Sequence, residues 1–394
     1  MPTSQDSLER LLAHLGRYPG EEGAGRQGVD GVDRLLLREA SDALSPDVHG
    51  LSPTAGARRV VVVDDEFGAL TLGAVSLGAG HVRVHQDTLT SERALATNAE
   101  RLGMIDCYTQ VDASSVTSAF GAELLGGADV VLLRLPKSLD ALDEIAQAVA
   151  RHAAPGVVLY AGGRVKHMTR GMNDVLARSF GDVRASLGAF RSRVLVARAP
   201  RPVDSPSFPR TAPLDELGLT VVAHGGVFAG TRLDLGTRFL LTFLPRMAPG
   251  ARAAVDAGCG SGILSTLLAR ERPDLRVVAT DQSAAAVWSA GATAAANGVS
   301  ERVTALRDDA LGSLPDASAD LVVCNPPFHA GTALHTDTAQ RMFDAAGRVL
   351  RPGGEMWTVY NSHLTYKRDL ARAVGPTTMM GQDPKFTVTR SRRP

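Results

Sequence analysis

The sequence has few cysteines, few aromatic residues, no net charge and no long apolar run. Its three cysteines, Cys107, Cys259 and Cys324, stand far apart and in no metal-ligand spacing, which excludes a disulfide scaffold and a zinc ribbon. Lys and Arg number 42 and so do Asp and Glu, which weakens attraction of the whole chain to nucleic acid but leaves local basic patches possible. No stretch approaches the roughly 18 apolar residues of a transmembrane helix. We therefore expect a cytoplasmic monomer with no metal and no membrane partner.

The chain is long enough for two domains. Its 394 residues exceed the roughly 250–300 that one hydrophobic core supports. The composition, with 44% hydrophobic and 21% charged residues, is typical of globular proteins. Residues 198–213 include five prolines, which exclude helix and central strand because proline fixes φ and lacks an N–H. We expect a first domain at 1–199, a proline-rich linker at 200–213 and a second domain at 214–394.

The two halves repeat one pattern. When Gly68 is set against Gly262, Asp87 falls on Asp281, and the segment RLPKS falls near CNPPF. In both halves short apolar runs alternate with helices of about 10–15 residues, which predicts βαβ units and a parallel sheet covered on both faces. Any two α/β domains share such alternation, but the matching acidic and proline-containing strand ends favour a duplication.

A glycine-rich turn lies in the second half, in the segment VDAGCGSG at 255–262. Gly258, Gly260 and Gly262 allow a tight backbone turn close to a ligand, with a helix N-terminus behind it. Ile263 breaks the dinucleotide fingerprint G-x-G-x-x-G. Asp281 at the next strand end could accept two ribose hydroxyl groups, and Asp256 could face a cationic amine. S-adenosylmethionine has both an amino acid and a nucleoside end; a nucleotide site of another kind is the alternative.

The most informative segment is Asn325-Pro326-Pro327-Phe328, at the end of the predicted strand DLVVC. Two prolines stiffen the turn and leave carbonyl groups facing the crevice at the carboxyl ends of the strands. The amide oxygen of Asn325 and a backbone carbonyl can accept both hydrogens of a planar NH₂ group, while Phe328 stacks on the ring that bears it. These residues indicate positioning of an amine for transfer; a purely structural turn is the alternative.

VDAGCGSG, the TD at 280–281 and CNPPFH at 324–329 resemble the class I methyltransferases that modify amino nitrogens. NPPF followed by His329 is similar to the ribosomal RNA guanine-N2 methyltransferases. The resemblance extends through 225–241 and 352–366, and it includes VDDEFGAL and RLPKSLDAL in the first half. It implies an α/β fold of two tandem class I, Rossmann-like methyltransferase domains, of which the N-terminal one is degenerate.

The resemblance also implies a function. This is S-adenosylmethionine-dependent methylation of the exocyclic N2 amine of a guanine in ribosomal RNA, with 23S favoured over 16S RNA and the guanine flipped out of its stack. The alternatives are methylation of protein glutamine or of adenine N6, and a non-catalytic RNA-binding module of ribosome assembly.

Site residues follow from the same resemblance. Asn325, Pro326 and Phe328 would hold the guanine. Asp309 would face the adenine amine of the cofactor, with Asp308 as a competing candidate. The full set of implied cofactor contacts is Phe228, Asp234, Gly236, Asp256, Gly258, Gly260, Asp281 and Asp309.

The first half lacks this chemistry. Asp64, Asp65 and Glu66 stand where the second half has Gly258, Cys259 and Gly260, so side chains would block the cofactor and carboxylates would repel its carboxylate. Leu135, which has no polar side-chain atom, is aligned with Asn325. We expect this domain to recognise RNA or to support its neighbour.

A basic stretch makes RNA recognition concrete. Residues 164–201 contain nine Lys and Arg against two acids. Clusters of this kind bind phosphates, although a solvated arginine-rich surface would look the same in sequence. The predicted RNA-binding residues are Arg164, Lys166, Arg170, Arg191 and Arg193.

Overall fold

The computed structural model describes residues 4–17, 27–45, 58–111, 120–326 and 333–394. The chain divides into two compact units, Met1–Phe208 and Pro209–Pro394. Across the described ranges, no helix has both the length and the apolar character that crossing a bilayer requires.

Within its described residues, the first unit forms a seven-stranded sheet in the order β3-β2-β1-β4-β5-β7-β6. Strands β1 to β5 pair in parallel, whereas β7 is antiparallel to both β5 and β6. The strands are β1 Val60–Val63, β2 Val82–His85, β3 Tyr108–Gln110, β4 Val130–Arg134, β5 Val158–Arg164, β6 Phe180–Ala185 and β7 Ser192–Pro200. The helices are α1 Ser4–Ala13, α2 Gly31–Leu44, α3 Ala69–Ser76, α4 Leu89–Arg101, α5 Ala122–Leu125, α6 Leu139–His152 and α7 Arg170–Ser179.

The second unit has a two-stranded sheet of β8 and β9, and a sheet in the order β12-β11-β10-β13-β14-β16-β15. The larger sheet thus has the same strand order as the sheet of the first unit. The strands are β8 Arg210–Leu214, β9 Leu219–Ala223, β10 Ala253–Ala257, β11 Arg276–Asp281, β12 Val303–Arg307, β13 Ala319–Cys324, β14 Leu350–Asn361, β15 Thr377–Gln382 and β16 Phe386–Arg392. The helices are α8 Leu235–Leu241, α9 Ile263–Glu271, α10 Ala284–Ala296, α11 Ala333–Val349 and α12 Tyr366–Ala373.

Both large sheets are covered on two faces, as their apolar runs predict. All four valines of β1 are buried, and alternate ones face different clusters of core residues. In the second unit the alternate residues of β13 likewise divide between two core clusters. The strand order reverses between β1 and β4 and between β10 and β13, which is where open α/β sheets bind ligands. The predicted fold class, two tandem Rossmann-like α/β domains, is confirmed.

The segment expected to be a linker, 200–213, is partly strand. Pro200 ends β7, beyond the last residue that pairs with β5, so it pairs only with β6. Arg210–Leu214 forms β8, in which Pro213 pairs with Thr220. Proline is excluded from central strands, but both strands of a two-stranded sheet are edges, where a missing N–H can face away from the ladder.

The pairing of β2 corrects one correspondence between the halves. Asp64 donates its N–H to the residue just before Gln86, and Gly258 donates its N–H to the residue just before Asp281. Gln86, and not Asp87, therefore occupies the position of Asp281. The acidic strand end of the second unit has no acidic counterpart in the first.

The pairing of β4 corrects a second correspondence. Val63, the last residue of β1, pairs with the residue just before Arg134. Ala257, the last residue of β10, pairs with the residue just before Asn325. Arg134, and not Leu135, therefore occupies the position of Asn325.

Candidate active site

A cavity of about 480 Å³ lies in the second unit, at the carboxyl ends of β10 and β13. Gly236 is buried and is not among the cavity's lining residues, and Phe328 lies outside the described residues. The predicted site residues that line the cavity are Phe228, Asp234, Asp256, Gly258, Gly260, Asp281, Asp309, Asn325 and Pro326.

The glycine turn forms one wall. Gly258, Gly260 and Gly262 have φ values of 77°, 53° and 76°, in the left-handed region that favours glycine. A Cβ on Gly260 would meet nothing within 4 Å, so the backbone there faces open space. A Cβ on Gly262 would lie 2.6 Å from Cα of Ala290, so this glycine lets α9 pack against α10.

Asp256 lies beneath the turn. Its side chain is buried, and Oδ2 accepts the N–H of Ser265 at 3.0 Å. Burial, with a smaller contribution from Asp281, raises the pKa of Asp256 to about 7. A nearby cationic ligand group would favour the ionised form of this carboxyl.

Asp281 ends β11 and receives two backbone donors. Oδ1 accepts the N–H of Ser283 at 3.0 Å, and Oδ2 accepts the N–H of Gly260 at 3.2 Å. Each carboxylate oxygen has two acceptor positions, so Asp281 can also accept hydroxyl groups of a ligand in the cavity.

Asp308 and Asp309 both line the cavity but have different partners. Asp308 is buried and accepts the N–H of Ser313 at 3.2 and 3.3 Å. Asp309 accepts from both terminal nitrogens of Arg341, at 2.8 and 3.1 Å. Sequence reasoning missed Arg341 because it is 32 residues away, on α11.

The side chain of Asn325 is held by two residues at the start of α8. Its Nδ2 donates to Oδ2 of Asp234 at 3.0 Å and to Oγ1 of Thr237 at 2.9 Å. Its Oδ1 is buried and accepts no hydrogen bond from any residue that the structure describes. Thr237 was also missed, because nothing in the sequence connects it to a residue 88 positions later.

The arrangement suits a ligand that carries cationic, hydroxyl and amine groups. Acidic side chains and main-chain N–H groups meet apolar side chains such as Leu264 and Leu311 around one cavity. Such a mixture of apolar wall and convergent polar groups is typical of cofactor pockets. Within the described ranges, no group of three His, Cys, Asp or Glu side chains is arranged to hold a metal ion.

The matching turn of the first unit is filled by its own side chains. Asp64 has φ 61°, close to the value at the matching glycine. Asp65 is fully buried and accepts N–H groups of Gly68 and Thr71, at 3.1 and 2.7 Å. Gln86 bonds to the backbone N–H and C=O of Asp65, at 2.8 and 2.7 Å.

Arg134 fills the other side of the same region. It forms ion pairs with Asp30, Asp33 and Glu66, the last of which stands at the position of Gly260. Burial opposes the charge of Arg134, but these carboxylates outweigh it and raise the pKa of the guanidinium above its usual value.

The predicted RNA-binding residues lie around one edge of the first unit. Arg164 ends β5, Lys166 follows in a short 3₁₀ helix, and Arg170 begins α7. Arg191 accepts the N–H of Val165 through its carbonyl, and Arg193 pairs with Gly163 on β5. All five basic side chains are exposed. We call this set, Arg164, Lys166, Arg170, Arg191 and Arg193, the basic edge.

Two of the other four basic residues of the stretch, Arg198 and Arg201, lie away from the basic edge. Arg198 lies five residues further along β7 than Arg193, roughly 17 Å at the usual rise of a strand. Arg201 donates its N–H to Ser179, at the end of α7. The nine basic residues therefore do not form one cluster. Beside the basic edge, Phe190 and Leu187 expose 54% and 87% of their surface.

Two family models match the chain. The model described as Methyltransferase small domain matches residues 218–390, and the model described as RLMG N-terminal domain matches residues 3–201. The Ribosomal RNA large subunit methyltransferase G of Pseudomonas aeruginosa is 36% identical over 382 residues, which is 96% of each chain. The protein of that name from Streptomyces coelicolor is 37% identical over 94% of this chain and 98% of its own.

The similarity to a solved structure extends over nearly the whole chain. The T. thermophilus 16S rRNA N2 G1207 methyltransferase, solved in complex with AdoMet and guanosine, covers 98% of this chain and 100% of its own with a TM-score of 0.71. At 22% identity this likeness shows the shared fold.

The fold, the cavity at its switch point and the matched models together define a methyltransferase with two tandem α/β units. The chain belongs to the family of ribosomal RNA large subunit methyltransferase G.

Proposed function

We propose that this enzyme transfers a methyl group from S-adenosylmethionine to the exocyclic N2 amine of a guanine in ribosomal RNA, with 23S RNA favoured as substrate. The observation that carries the proposal is the amide of Asn325, whose buried Oδ1 accepts no hydrogen bond from the described residues. The exocyclic N2 amine of the guanine supplies the missing hydrogen-bond donor. The names of the large-subunit relatives and the AdoMet and guanosine bound to the structural neighbour support the same reaction.

The residues around the cavity fit this cofactor. When bound, S-adenosylmethionine supplies an electrophilic methyl group on a positively charged sulfur. Asp281 receives the ribose hydroxyl groups, and the turn at Gly258 and Gly260 admits the ligand close to the backbone. Asp256 supplies a carboxyl whose negative form is stabilised by the positive charges of the amino acid end. Phe228 and Asp234 belong to the wall at that end, and Gly236 lies behind it, where its N–H donates to Asp234.

For the adenine amine, the contacts favour Asp308 over Asp309. Both oxygens of Asp309 already accept from the guanidinium of Arg341, whereas the oxygens of Asp308 share the single backbone N–H of Ser313. The two remain alternatives, and Asp308→Asn and Asp309→Asn distinguish them by cofactor affinity.

Methyl transfer requires the substrate nitrogen to be held and aimed. The lone pair of an exocyclic amine is delocalised into its ring, so the amine is a weak nucleophile. Asn325 Oδ1 and the carbonyl of Pro326 accept its hydrogens, which holds the nitrogen in place and favours a pyramidal geometry. Stacking on the ring is the role proposed for Phe328, which lies outside the described residues. Positioning of this kind contributes to rate without a strong base.

RNA binding by the first unit completes the proposal. The basic edge offers exposed cations for phosphates. Phe190 beside it is half-exposed, and the guanidinium of Arg38 lies 5.5 Å from its ring centroid, so a base can stack on the part of the ring that Arg38 leaves open. Arg164 also pairs with Asp30 at 3.0 Å, so part of its charge is already balanced. We also propose that the protein is a cytoplasmic monomer with a first domain at 1–199 and a catalytic domain at 214–394, and that the connection between them includes Pro200 of β7 and residues 210–213 of β8.

The decisive experiment treats ribosomal RNA from cells that lack the gene with purified enzyme and S-adenosylmethionine. Digestion and mass spectrometry should then find N2-methylguanosine in 23S RNA. Methylation in 16S RNA would correct the substrate, and N6-methyladenosine or methylglutamine would overturn the proposed amine.

Cofactor binding is tested separately by calorimetric titration. One site per chain is expected, and Gly260→Asp combined with Asp281→Ala should abolish it. The matched change in the first unit, Glu66→Gln, should leave it intact. Two sites in the wild type would contradict the assignment.

A further inference from the structure

The carboxamide of Asn325 has a defined orientation. A primary amide has two N–H donors at one end and an acceptor oxygen at the other. The donor end faces two acceptors, Oδ2 of Asp234 at 3.0 Å and Oγ1 of Thr237 at 2.9 Å. Turning the amide over would place its oxygen against the carboxylate of Asp234. The network therefore fixes which end of the carboxamide carries Oδ1, the buried atom that accepts no hydrogen bond from the described residues.

The start of α8 builds this acceptor pair. Asp234 is the N-cap, and its Oδ2 accepts the N–H groups of Gly236 and Thr237 at 2.8 and 3.0 Å. A Cβ on Gly236 would lie 3.0 Å from that oxygen and 3.5 Å from Asn325 Oδ1. Glycine at 236 thus lets the helix start approach the amide.

The first unit has the same contact between a helix N-cap and a strand end, with different side chains. Asp30 is the N-cap of α2 and accepts the N–H groups of Val32 and Asp33. Arg134, at the position of Asn325, donates to both Asp30 and Asp33. Asp33 stands where the second unit has Thr237, three residues after the capping aspartate.

The type of residue three positions after the N-cap therefore differs between the two units, and it matches the side chain that it contacts in each. In the first unit this residue is the acid Asp33, which contacts the guanidinium of Arg134. In the second unit it is Thr237, whose hydroxyl contacts the amide of Asn325. The helix start can be built with either residue, so the fold alone does not require Thr237. A neutral hydroxyl accepts from an amide without adding a second charge beside Asp234.

We propose that Thr237 is a positioning residue for methyl transfer: with Asp234 it fixes the Asn325 carboxamide so that Oδ1 faces the substrate. The site consequently receives a hydrogen-bond donor, such as an amine, and disfavours a keto group at the same place. This inference rests on the proposed function for the identity of the amine.

The test begins with Thr237→Val, which keeps the branched shape and removes the hydroxyl. Loss of one hydrogen bond to the amide should lower kcat about tenfold. The KM for RNA and the affinity for S-adenosylmethionine should stay within about twofold, because neither depends mainly on this amide. Thr237→Ser, which retains the hydroxyl, should restore most of the rate.

The control is Thr242→Val at the other end of α8. Thr242 Oγ1 donates to the carbonyl of Phe239, and Thr242 is not among the residues that line the cavity, so kcat should not change. In an Asn325→Ala background, Thr237→Val should cause no further loss, because its target is gone. An equal loss in that background, or an unchanged kcat in the single variant, would overturn the proposal.

A second readout is independent of turnover. In ¹⁵N-labelled protein the side-chain NH₂ of Asn325, assigned by its disappearance in Asn325→Ala, should exchange slowly and become faster-exchanging in Thr237→Val. Unchanged exchange refutes the positioning role whether or not guanine is the substrate. If the valine variant does not fold, Thr237→Ala carries the same comparison. Failure of the wild type on guanine refutes only the proposed function.

Discussion

Arg134 donates to both carboxylate oxygens of Asp30, through its two terminal nitrogens, each at 3.2 Å. Parallel bonds of this kind give an arginine–carboxylate pair its strength and its fixed geometry. Only 14% and 15% of the two side chains are exposed, so water screens the pair little. Arg134 thereby ties the end of β4 to the start of α2, at the place where a cofactor site would otherwise open.

Replacing Arg134 should destabilise the first unit. Arg134→Met leaves the carboxylates of Asp30 and Asp33 without their main counter-charge, which costs about 3–5 kcal/mol for a buried pair broken on one side. Arg164→Met is the matched control, because Arg164 pairs with the same Asp30 but is 48% exposed. Its cost should be below about 1 kcal/mol. Urea unfolding measures both, and equal costs would contradict the assignment of the buried pair.

Asn325→Ala should retain the cofactor and lose methyl transfer. The change removes an acceptor of the substrate amine and leaves the glycine turn and Asp281 untouched. By analogy with the loss of one preorganised donor from an oxyanion hole, kcat should fall on the order of 10²–10³-fold. Single-turnover kinetics with verified RNA measures the rate, and titration checks cofactor affinity. Near-normal turnover is incompatible with the proposed geometry.

Neutralising the basic edge should weaken RNA binding and its salt dependence. Each phosphate contact contributes about 0.7–0.9 to the slope of log affinity against log salt, so Lys166→Gln with Arg193→Gln should lower the slope by about 1.5. Arg164 is left intact because it pairs with Asp30. Filter binding at several salt concentrations provides the measurement.

The control for this experiment removes the same charge elsewhere. Arg151→Gln with Arg201→Gln changes two exposed residues away from the basic edge, one in the last turn of α6 and one just after the end of β7. Slope and affinity should then match the wild type. Equal effects of the two double variants would indicate a merely solvated arginine-rich surface.

Asp256 should make stability depend on pH. Its folded pKa of about 7 lies above the ordinary value of 3.8, so the fold prefers the protonated form. The stability it contributes is fully present below about pH 3.8 and is lost as the pH rises to about 7. Asp256→Asn removes this loss, so the variant should gain on the wild type by up to about 1.4 kcal/mol per pH unit across that window. Denaturant unfolding between pH 4 and 8 tests this, and parallel curves would count against a buried carboxyl that titrates there.

The sequence predicts the order of elements and the strand-end residues well, because both depend on local patterns. Buried apolar runs identify β1 and β10, and the glycine turn identifies the ligand-binding edge. Gly258 and Asn325 could be expected near one another because the carboxyl ends of neighbouring parallel strands meet at one edge.

The sequence could not give the alignment of the two halves at single-residue resolution. A connection that is one residue longer moves every later residue without changing the apolar pattern, so Asp87 and Leu135 were matched in place of Gln86 and Arg134. Side-chain partners distant in sequence were equally hidden. Arg341 reaches Asp309 and Thr237 reaches Asn325 only because the chain folds back.

The filled turn of the first unit has a consequence for how such a unit could change. Restoring a glycine at Glu66 would still leave the carboxylate of Asp65 bonded inside the turn and Gln86 in place of an acid. Restoring an asparagine at Arg134 would first strand the acids that the guanidinium now neutralises. The change at Arg134 lowers stability, and neither change alone opens a site for a ligand. The turn of the first unit therefore stays closed to a ligand after any single one of these changes.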